Sequence, residues 1–269
     1  MGFSWDRRIE RAGELAQKHP AVAELLKFYQ HLARFQKTVE EKLRLQGEHP
    51  LPLLLPFFPE LISLVKREGS PSLAIAAQTL AQDLDEDRLA LLESIWQHQV
   101  DTSHLAGEYA FFAQALLQPY AEYLAGCTPT VAGAKSAESG DPPGAAVDSS
   151  PSRCPFCGSR PLVAVLRPEG DGAKRSLLCS LCATEWNFRR VLCPNCGEED
   201  KEKLPIFAAK EFEHVRVEAC DTCRTYIKSI DLSKDGHAVP MVDELATVSL
   251  NLWAQEKNYH KLRPNLFGV

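Results

Sequence analysis

The chain has 269 residues, of which 45% are hydrophobic and 25% charged, a composition typical of a folded protein with one large or two modest domains. Its net charge of −6 and pI near 5.8 provide no positive field for a phosphate backbone, so we expect no nucleic-acid partner. No stretch approaches the roughly eighteen apolar residues of a membrane span, and no apolar signal core follows the first eight residues. We therefore expect a cytoplasmic protein without stable membrane insertion.

The first half of the chain has a helical pattern. Apolar residues recur three and four apart, as in the run Val22–Leu43. The pair Ser70-Pro71 is typical of a helix start, and Asp85 is expected to cap the next helix. The proline-rich segment 51–59 is expected to begin as an irregular crossing. These signals predict an all-helical domain over residues 1–127.

The composition changes after the helical domain. Residues 128–152 are mostly small, polar or proline, which predicts a flexible linker. Alternating patterns near 162–166 and 216–219 then predict short strands. Residues 236–269 are expected to form a C-terminal helix and tail, with the helix running from about 240 to 257 because apolar residues recur there at helical spacing.

Eight of the nine cysteines form four Cys-x-x-Cys pairs, in a chain without an export signal, which favours metal ligation over disulfides. Two cysteines three apart can bind one ion from a tight turn, and a second such turn completes a tetrahedron that suits zinc or iron. The ninth, Cys127, is expected to be a buried or unreactive thiol. The paired residues are Cys154 and Cys157, Cys179 and Cys182, Cys193 and Cys196, and Cys220 and Cys223.

The order of the pairs indicates two tandem ribbons, over residues 153–190 and 191–235. The gaps of 21 and 23 residues within the ribbons can each hold two strands and a turn. Gly158 and Gly197 follow the first pair of each ribbon, where such a turn needs a positive φ. The spacing favours sequential pairing, with one ion per ribbon, and leaves interleaved pairing open. The predicted class is α+β, with a helical domain, two rubredoxin-like or zinc-ribbon modules and a C-terminal helix.

The chemistry of a four-cysteine site argues against catalysis. Four thiolates leave no open position on the ion for a substrate, so such a site usually contributes folding energy. Iron in the same cage can instead carry one electron. His214 and His237 fit the surface of the second ribbon better than a metal shell that already has four ligands. No phosphate loop or nucleophile elbow is present. We therefore expect a protein that is not an enzyme.

The cysteine motifs resemble those of a known family, the formate dehydrogenase accessory protein FdhE. The similarity is strong in the C-terminal half and weak in the helical half. It rests on Cys154-Pro155-Phe156-Cys157-Gly158, Leu178-Cys179 to Trp186, Arg189 to Gly197, Glu218 to Cys223, Tyr226-Ile227-Lys228, Val242 to Ala246, and Arg263 to Leu266.

The resemblance implies a cytoplasmic, non-catalytic factor that binds the catalytic subunit of a formate dehydrogenase and is needed for that enzyme to become active. It further implies rubredoxin-like iron sites whose ligands are the eight paired cysteines, while the residues alone leave two ions of either iron or zinc open. On the matching motif, Thr184, Glu185, Trp186 and Arg189 are candidates for the surface that meets this client. The alternative is a rubredoxin-like electron carrier. A nucleic-acid-binding zinc ribbon is disfavoured by the acidic chain.

Overall fold

The computed structural model of the chain describes residues 4–45, 50–97, 107–127, 151–170 and 172–269. Six helices come first, and a sheet with two short helices near the C-terminus follows. This order confirms the predicted α+β class. Most of the predicted linker, residues 128–150, lies outside the described residues. No helix within the described ranges is both long enough and apolar enough to cross a membrane.

Within its described residues, the helical half contains six α-helices. Ser70 caps one of them as predicted, since its hydroxyl accepts the Leu73 N–H and Pro71 occupies the first turn. The Asp85 cap is wrong, because Asp85 is the first residue of its helix and the carboxylate that accepts the Leu84 N–H belongs to Asp87. The helices are α1 Trp5–Lys18, α2 Ala23–Leu43, α3 Phe58–Glu68, α4 Pro71–Leu80, α5 Asp85–Gln97 and α6 Gly107–Cys127, with 3₁₀ turns at Pro20–Val22 and Leu51–Phe57.

The strands form one sheet rather than two separate ribbons. Its order is β3-β2-β1-β6-β5-β4, and β7 pairs with the start of β6. The two ribbons meet where β1 and β6 run parallel, from Val163 opposite Lys228 to Leu166 opposite Asp231. The strands are β1 Pro161–Glu169, β2 Gly172–Cys179, β3 Glu185–Asn187, β4 Ile206–Ala208, β5 Val215–Ala219, β6 Thr225–Asp231 and β7 His260–Lys261.

The predicted C-terminal helix is two helices, α7 Pro240–Ala246 and α8 Val248–Glu256. The break is at Thr247, whose φ of −110° and ψ of 36° are not helical. The ammonium group of Lys228 lies against this break and donates to the carbonyl oxygens of Glu244 and Thr247 at 2.6 and 3.2 Å. The N–H groups of Thr247 and Leu250 also donate to these two oxygens, at 3.4 and 3.1 Å, and the Lys228 ammonium adds a charged donor that stabilises the break.

The two halves of the molecule share hydrophobic cores. The largest core joins α2 to α6 with the cysteines of the first ribbon and with Leu262 and Leu266 near the C-terminus. A second core joins α1 and α2 with α7, and a third lies between the sheet and α8. Two of the three cores therefore contain residues from both halves, which fixes the sheet against the helices.

Candidate metal centre

The first cluster consists of the four sulfurs of the first ribbon. Cys154 and Cys157 lie in the turn before β1, while Cys179 and Cys182 lie at the end of β2 and just beyond it. The Sγ atoms of Cys154 and Cys182 are 3.5 Å apart, and those of Cys157 and Cys179 are 3.4 Å apart. All four sulfurs lie within 4.8 Å of one another.

The second cluster repeats this arrangement in the second ribbon. Cys193 and Cys196 precede β4, while Cys220 and Cys223 lie in the turn between β5 and β6. The Sγ pairs Cys193–Cys223 and Cys196–Cys220 are each 3.7 Å apart. The structure thus brings the eight cysteines together sequentially, four from each ribbon, and not in the interleaved order.

The first turn of each cluster has the same backbone geometry. The N–H of Gly158 donates to the Cys154 carbonyl at 2.9 Å, and that of Gly197 donates to the Cys193 carbonyl at 3.1 Å. Gly158 has a φ of 73° and Gly197 a φ of 77°. The prediction that these two glycines take a positive φ is confirmed, and it explains how both sulfurs of a pair point to one side of the turn.

The second turn of each cluster has a positive φ without glycine. Ala183 has a φ of 52° and Arg224 a φ of 55°. Two residues after the last cysteine, the Thr184 and Thr225 hydroxyl oxygens lie 3.1 and 3.0 Å from the sulfurs of Cys182 and Cys223. Sequence reasoning missed Thr225, although the repeated pattern Cys-x-x-Cys-x-Thr in both second pairs is a signal for it.

Proton affinities in the clusters depend on burial and on hydrogen bonds between sulfurs. Burial raises the pKa of Cys179 well above its usual value and that of Cys220 to about 12. Burial also acts on Cys223, but hydrogen bonds from Thr225 and Asn195 outweigh it and lower its pKa to about 6. Thiolates this close repel one another, so each cluster can hold four negative sulfurs only around a cation.

The geometry fits a tetrahedral metal ion. Metal–sulfur bonds of about 2.3 Å place the sulfurs of a tetrahedral site about 3.8 Å apart. The separations of 3.4 to 3.7 Å approach this value. Backbone N–H groups also point at sulfur, with Leu181 and Asn195 each 3.4 Å from the Sγ of Cys179 and Cys193. Four thiol donors suit zinc or iron and leave no further coordination position.

A third group of potential ligands is an ion-pair network. His214, Asp235 and Asp243 lie close enough to hold an ion together. The guanidinium of Arg11 occupies this place, with one nitrogen 2.6 Å from a carboxylate oxygen of each aspartate. His214 lies 2.8 Å from Asp243, so it belongs to this network and to neither cysteine cluster.

The four candidates for a client surface lie in two places. Thr184, Glu185 and Trp186 lie at the start of β3, and Arg189 lies beyond that strand. Glu185 accepts two hydrogen bonds from Arg167 at 2.9 and 2.7 Å, and the indole N–H of Trp186, which is 8% exposed, donates to the Pro151 carbonyl. Arg189 is exposed and pairs with Glu199 beside the second cluster. No contact with another protein tests this surface, and it stays a prediction.

A groove of about 1020 Å³ separates the helical half from β2 and β3. We call it the inter-half groove and define it by the lining residues Trp5, Glu41, Arg44, Gly126, Thr184 and Trp186. Its walls carry both signs of charge, and most of these charges are paired, as in Arg8 with Glu122 and Lys37 with Asp6. Three of the four candidate client residues line it, and Arg189 does not.

The lone cysteine differs from expectation. Cys127 is exposed at the C-terminal end of α6, so the expectation that it is buried is wrong. Among the described residues it has Tyr123 and Arg44 as neighbours, and the preceding residue, Gly126, is exposed as well.

The fold and the two clusters define a class of protein, in which a helical half packs against one sheet that carries two consecutive four-cysteine ribbons. Two protein-family models match adjacent parts of the sheet half. The model described as FdhE, central domain, matches residues 153–190, and the one described as FdhE, C-terminal domain, matches residues 191–267.

Relatives extend the similarity to nearly the whole chain. A protein FdhE homolog of Aquifex aeolicus (strain VF5) is 29% identical over 97% of this chain and 94% of its own length. Protein FdhE of Escherichia coli O9:H4 (strain HS) is also 29% identical, over 98% and 87%. The crystal structure of the FdhE protein from Pseudomonas aeruginosa superimposes with a TM-score of 0.73 at 26% identity, covering 99% of this chain and 96% of that one. The family models, these relatives and this structure together support the FdhE family for this chain.

Proposed function

We propose that the protein is a cytoplasmic accessory factor, not an enzyme, which binds the catalytic subunit of formate dehydrogenase and is needed for that subunit to mature. The observation that carries the proposal is the pair of closed four-thiol clusters in one sheet, packed against a helical half. Four protein ligands leave no position for a substrate, so the clusters can support a binding surface but offer no place for metal-bound chemistry. The identity of the client, the catalytic subunit, is what the resemblance to the FdhE family implies.

We further propose that Cys154, Cys157, Cys179 and Cys182 ligate one ion and Cys193, Cys196, Cys220 and Cys223 a second, each ion being iron or zinc. An ion held by four thiolates stabilises the turns that carry them, and iron can in addition change its oxidation state. The chain contributes the thiolates, the N–H groups of Leu181 and Asn195, and the hydroxyls of Thr184 and Thr225 that lie against them.

We place the client contact at the inter-half groove. Three of the four residues implied by the family motif, Thr184, Glu185 and Trp186, line it, and α1, α2 and α6 form its opposite wall. A standard protein interface buries about 800 Å² on each partner, which exceeds what a small ribbon offers alone. Since both halves border the groove, a client seated there gains area from the helices as well.

The test is binding of zinc- or iron-loaded protein to the catalytic subunit of formate dehydrogenase, measured by co-purification and calorimetry. Wild type should bind, and Glu41→Arg, which reverses an exposed charge on the groove wall of α2, should weaken binding by at least about tenfold. Glu24→Arg is the matched control, because it makes the same change on an exposed part of α2 that does not line the groove.

Two results contradict different parts of the proposal. Failure of metal-loaded wild type to bind the subunit would contradict the accessory function. Equal binding by wild type, Glu41→Arg and Glu24→Arg would leave the accessory function standing and remove the groove as its surface. If the iron-loaded protein gives a reversible one-electron wave in voltammetry and does not bind the catalytic subunit, the electron-carrier alternative is supported instead.

A further inference from the structure

The two clusters have the same backbone geometry and different access to solvent. In the first cluster all four cysteines are buried, with Cys179 at 0% and Cys157, the most exposed, at 8%. In the second cluster Cys193 and Cys220 are buried at 4% and 2%, but Cys196 is exposed and Cys223 is half-buried. One edge of the second cluster therefore faces solvent.

The first cluster is enclosed by the helical half. All four of its cysteines belong to the hydrophobic core that contains α6. The side-chain amide of Gln118 in α6 donates to the Ser180 carbonyl at 3.1 Å, inside the turn between Cys179 and Cys182. The next residue of that turn, Leu181, is 6% exposed and packs into the same core. Opening this turn therefore requires separating it from the helices.

The equivalent turn of the second cluster has a polar closure. Thr222 occupies the position of Leu181, and it is exposed. Its hydroxyl lies 2.5 Å from a carboxylate oxygen of Glu198, which follows the other turn of the same cluster. The other oxygen of Glu198 accepts the N–H groups of Glu199 and Asp200. On the solvent side the two turns are thus connected by side-chain hydrogen bonds of exposed residues, from Thr222 to Glu198 and from Asn195 to the Cys223 sulfur. Such bonds cost much less free energy to open than a packed core.

The second cluster also has free space on its inner side. A cavity of about 40 Å³ is bordered by Cys193, Cys220 and Thr225. At roughly 10–15 Å³ for each water, it has room for about three waters. The first cluster reaches the inter-half groove only at Cys182, which is 3% exposed. The turns of the second cluster consequently have room to move on both sides.

We infer that the second cluster is the site at which a small chelating ligand exchanges the ion, that Cys196 is displaced first, and that the first cluster keeps its ion. This inference rests on the proposed ligation by eight cysteines. In the exchange a donor atom of the chelator bonds to the ion as the bond to the Cys196 sulfur breaks, and the released thiolate takes a proton from water. No electron is transferred.

The test uses the full chain loaded with two equivalents of zinc, in a Cys127→Ser background that removes the exposed lone thiol. Excess EDTA is added, and released zinc is followed with time while samples are alkylated with iodoacetamide and mapped by mass spectrometry. One equivalent should leave at least about tenfold faster than the other, a difference of the size produced by surroundings of a metal site. Alkylation should appear first at Cys196 and last in the first cluster.

Thr222→Val provides a second variant, because it removes the bond to Glu198 at an exposed position without opening a core. This variant should accelerate release of the zinc ion that leaves first and should not change the rate at which the second ion leaves. Release of both ions at one rate, or alkylation of Cys154 or Cys179 before Cys196, would overturn the inference while leaving ligation intact. A wild-type chain that binds no zinc or iron would instead overturn the proposed ligation itself.

Discussion

Glu244 accounts for a large part of the buried charge in the sheet half. Its side chain and that of Lys228 are both 0% exposed, and they approach to 2.8 Å. Lys261 also contacts Glu244, and the Asn265 amide donates to its second oxygen at 2.8 Å. Burial raises the pKa of Glu244, but the two lysines outweigh it and lower the pKa to about 2. The carboxylate is therefore charged and fully bonded in the fold.

Glu244→Gln should lower the free energy of unfolding by about 3–5 kcal/mol, because Lys228 would be left buried without a counter-ion. Urea denaturation of the metal-loaded protein measures this loss. Glu202→Gln is the matched control, since that glutamate is 81% exposed beside Lys201 and its change should stay within about 0.5 kcal/mol. Equal losses in the two variants would contradict a structural role for the buried carboxylate.

The same variant gives a pH signature. A carboxylate whose pKa is lowered by folding stabilises the fold fully above its ordinary value of 4.5 and loses that contribution as the pH falls through about 2. The difference in free energy of unfolding between wild type and Glu244→Gln should therefore shrink across this range. Loss of ions from protonated thiolates affects both proteins and cancels in the difference.

At the scale of elements, the cysteine turns show how backbone conformation prepares a metal site. Gly197 adopts a φ of 77°, and a Cβ added there would meet nothing within 4 Å. Any cost of a side chain at this position therefore comes from the backbone conformation alone. Gly126 near the end of α6 has equally open surroundings without a positive φ.

Gly197→Ala should lower the free energy of unfolding of the zinc-loaded protein by about 1–2 kcal/mol, the cost of an L-residue in the left-handed region. Gly126→Ala should raise it by up to about 1 kcal/mol, because alanine has the higher helix propensity. Thermal unfolding of the two variants side by side measures both effects. A stabilising Gly197→Ala would show that the turn does not keep its positive φ.

Across the whole molecule, α1 is connected to α7 although 230 or so residues separate them along the chain. Arg11 donates to Asp243 at 2.6 and 3.1 Å and to Asp235 at 2.6 Å. Asp243 is 1% exposed, so its charge has little access to water. This network joins the first helix to the start of the C-terminal segment, next to the core formed by α1, α2 and α7.

Arg11→Met should lower the free energy of unfolding by about 3 kcal/mol, because Asp243 keeps a buried charge after losing its bidentate partner. Hydrogen exchange should show the added mobility in both α1 and α7. Lys37→Met is the control. It removes another cation that joins two elements, but Lys37 and its partner Asp6 are 35% and 74% exposed, so solvent screens the pair and the loss of stability should be much smaller than that of Arg11→Met. If protection from hydrogen exchange falls in α1 alone, α1 and α7 are not coupled through Arg11.

Several features were predictable because they depend on a few neighbouring residues. The cysteine spacing identified both clusters, and Gly158 and Gly197 identified turns with a positive φ. Other features were not predictable in this way. Ala183 and Arg224 adopt a positive φ without a residue that signals it, and the C-terminal helix breaks at Thr247, where a lysine from the distant strand β6 donates to the carbonyl groups of the break.

The sequence by itself therefore determined the α+β class, the four Cys-x-x-Cys pairs and the turns that present them, since each turn closes within about six residues through its own hydrogen bonds. The tertiary structure decided that the pairs combine sequentially into two clusters. Only the tertiary structure decided that the ribbons form one sheet through β1 and β6. It also decided that the first cluster lies inside a shared core while Cys196 of the second faces solvent. Burial depends on which distant surfaces pack together, and a local pattern carries no information about that.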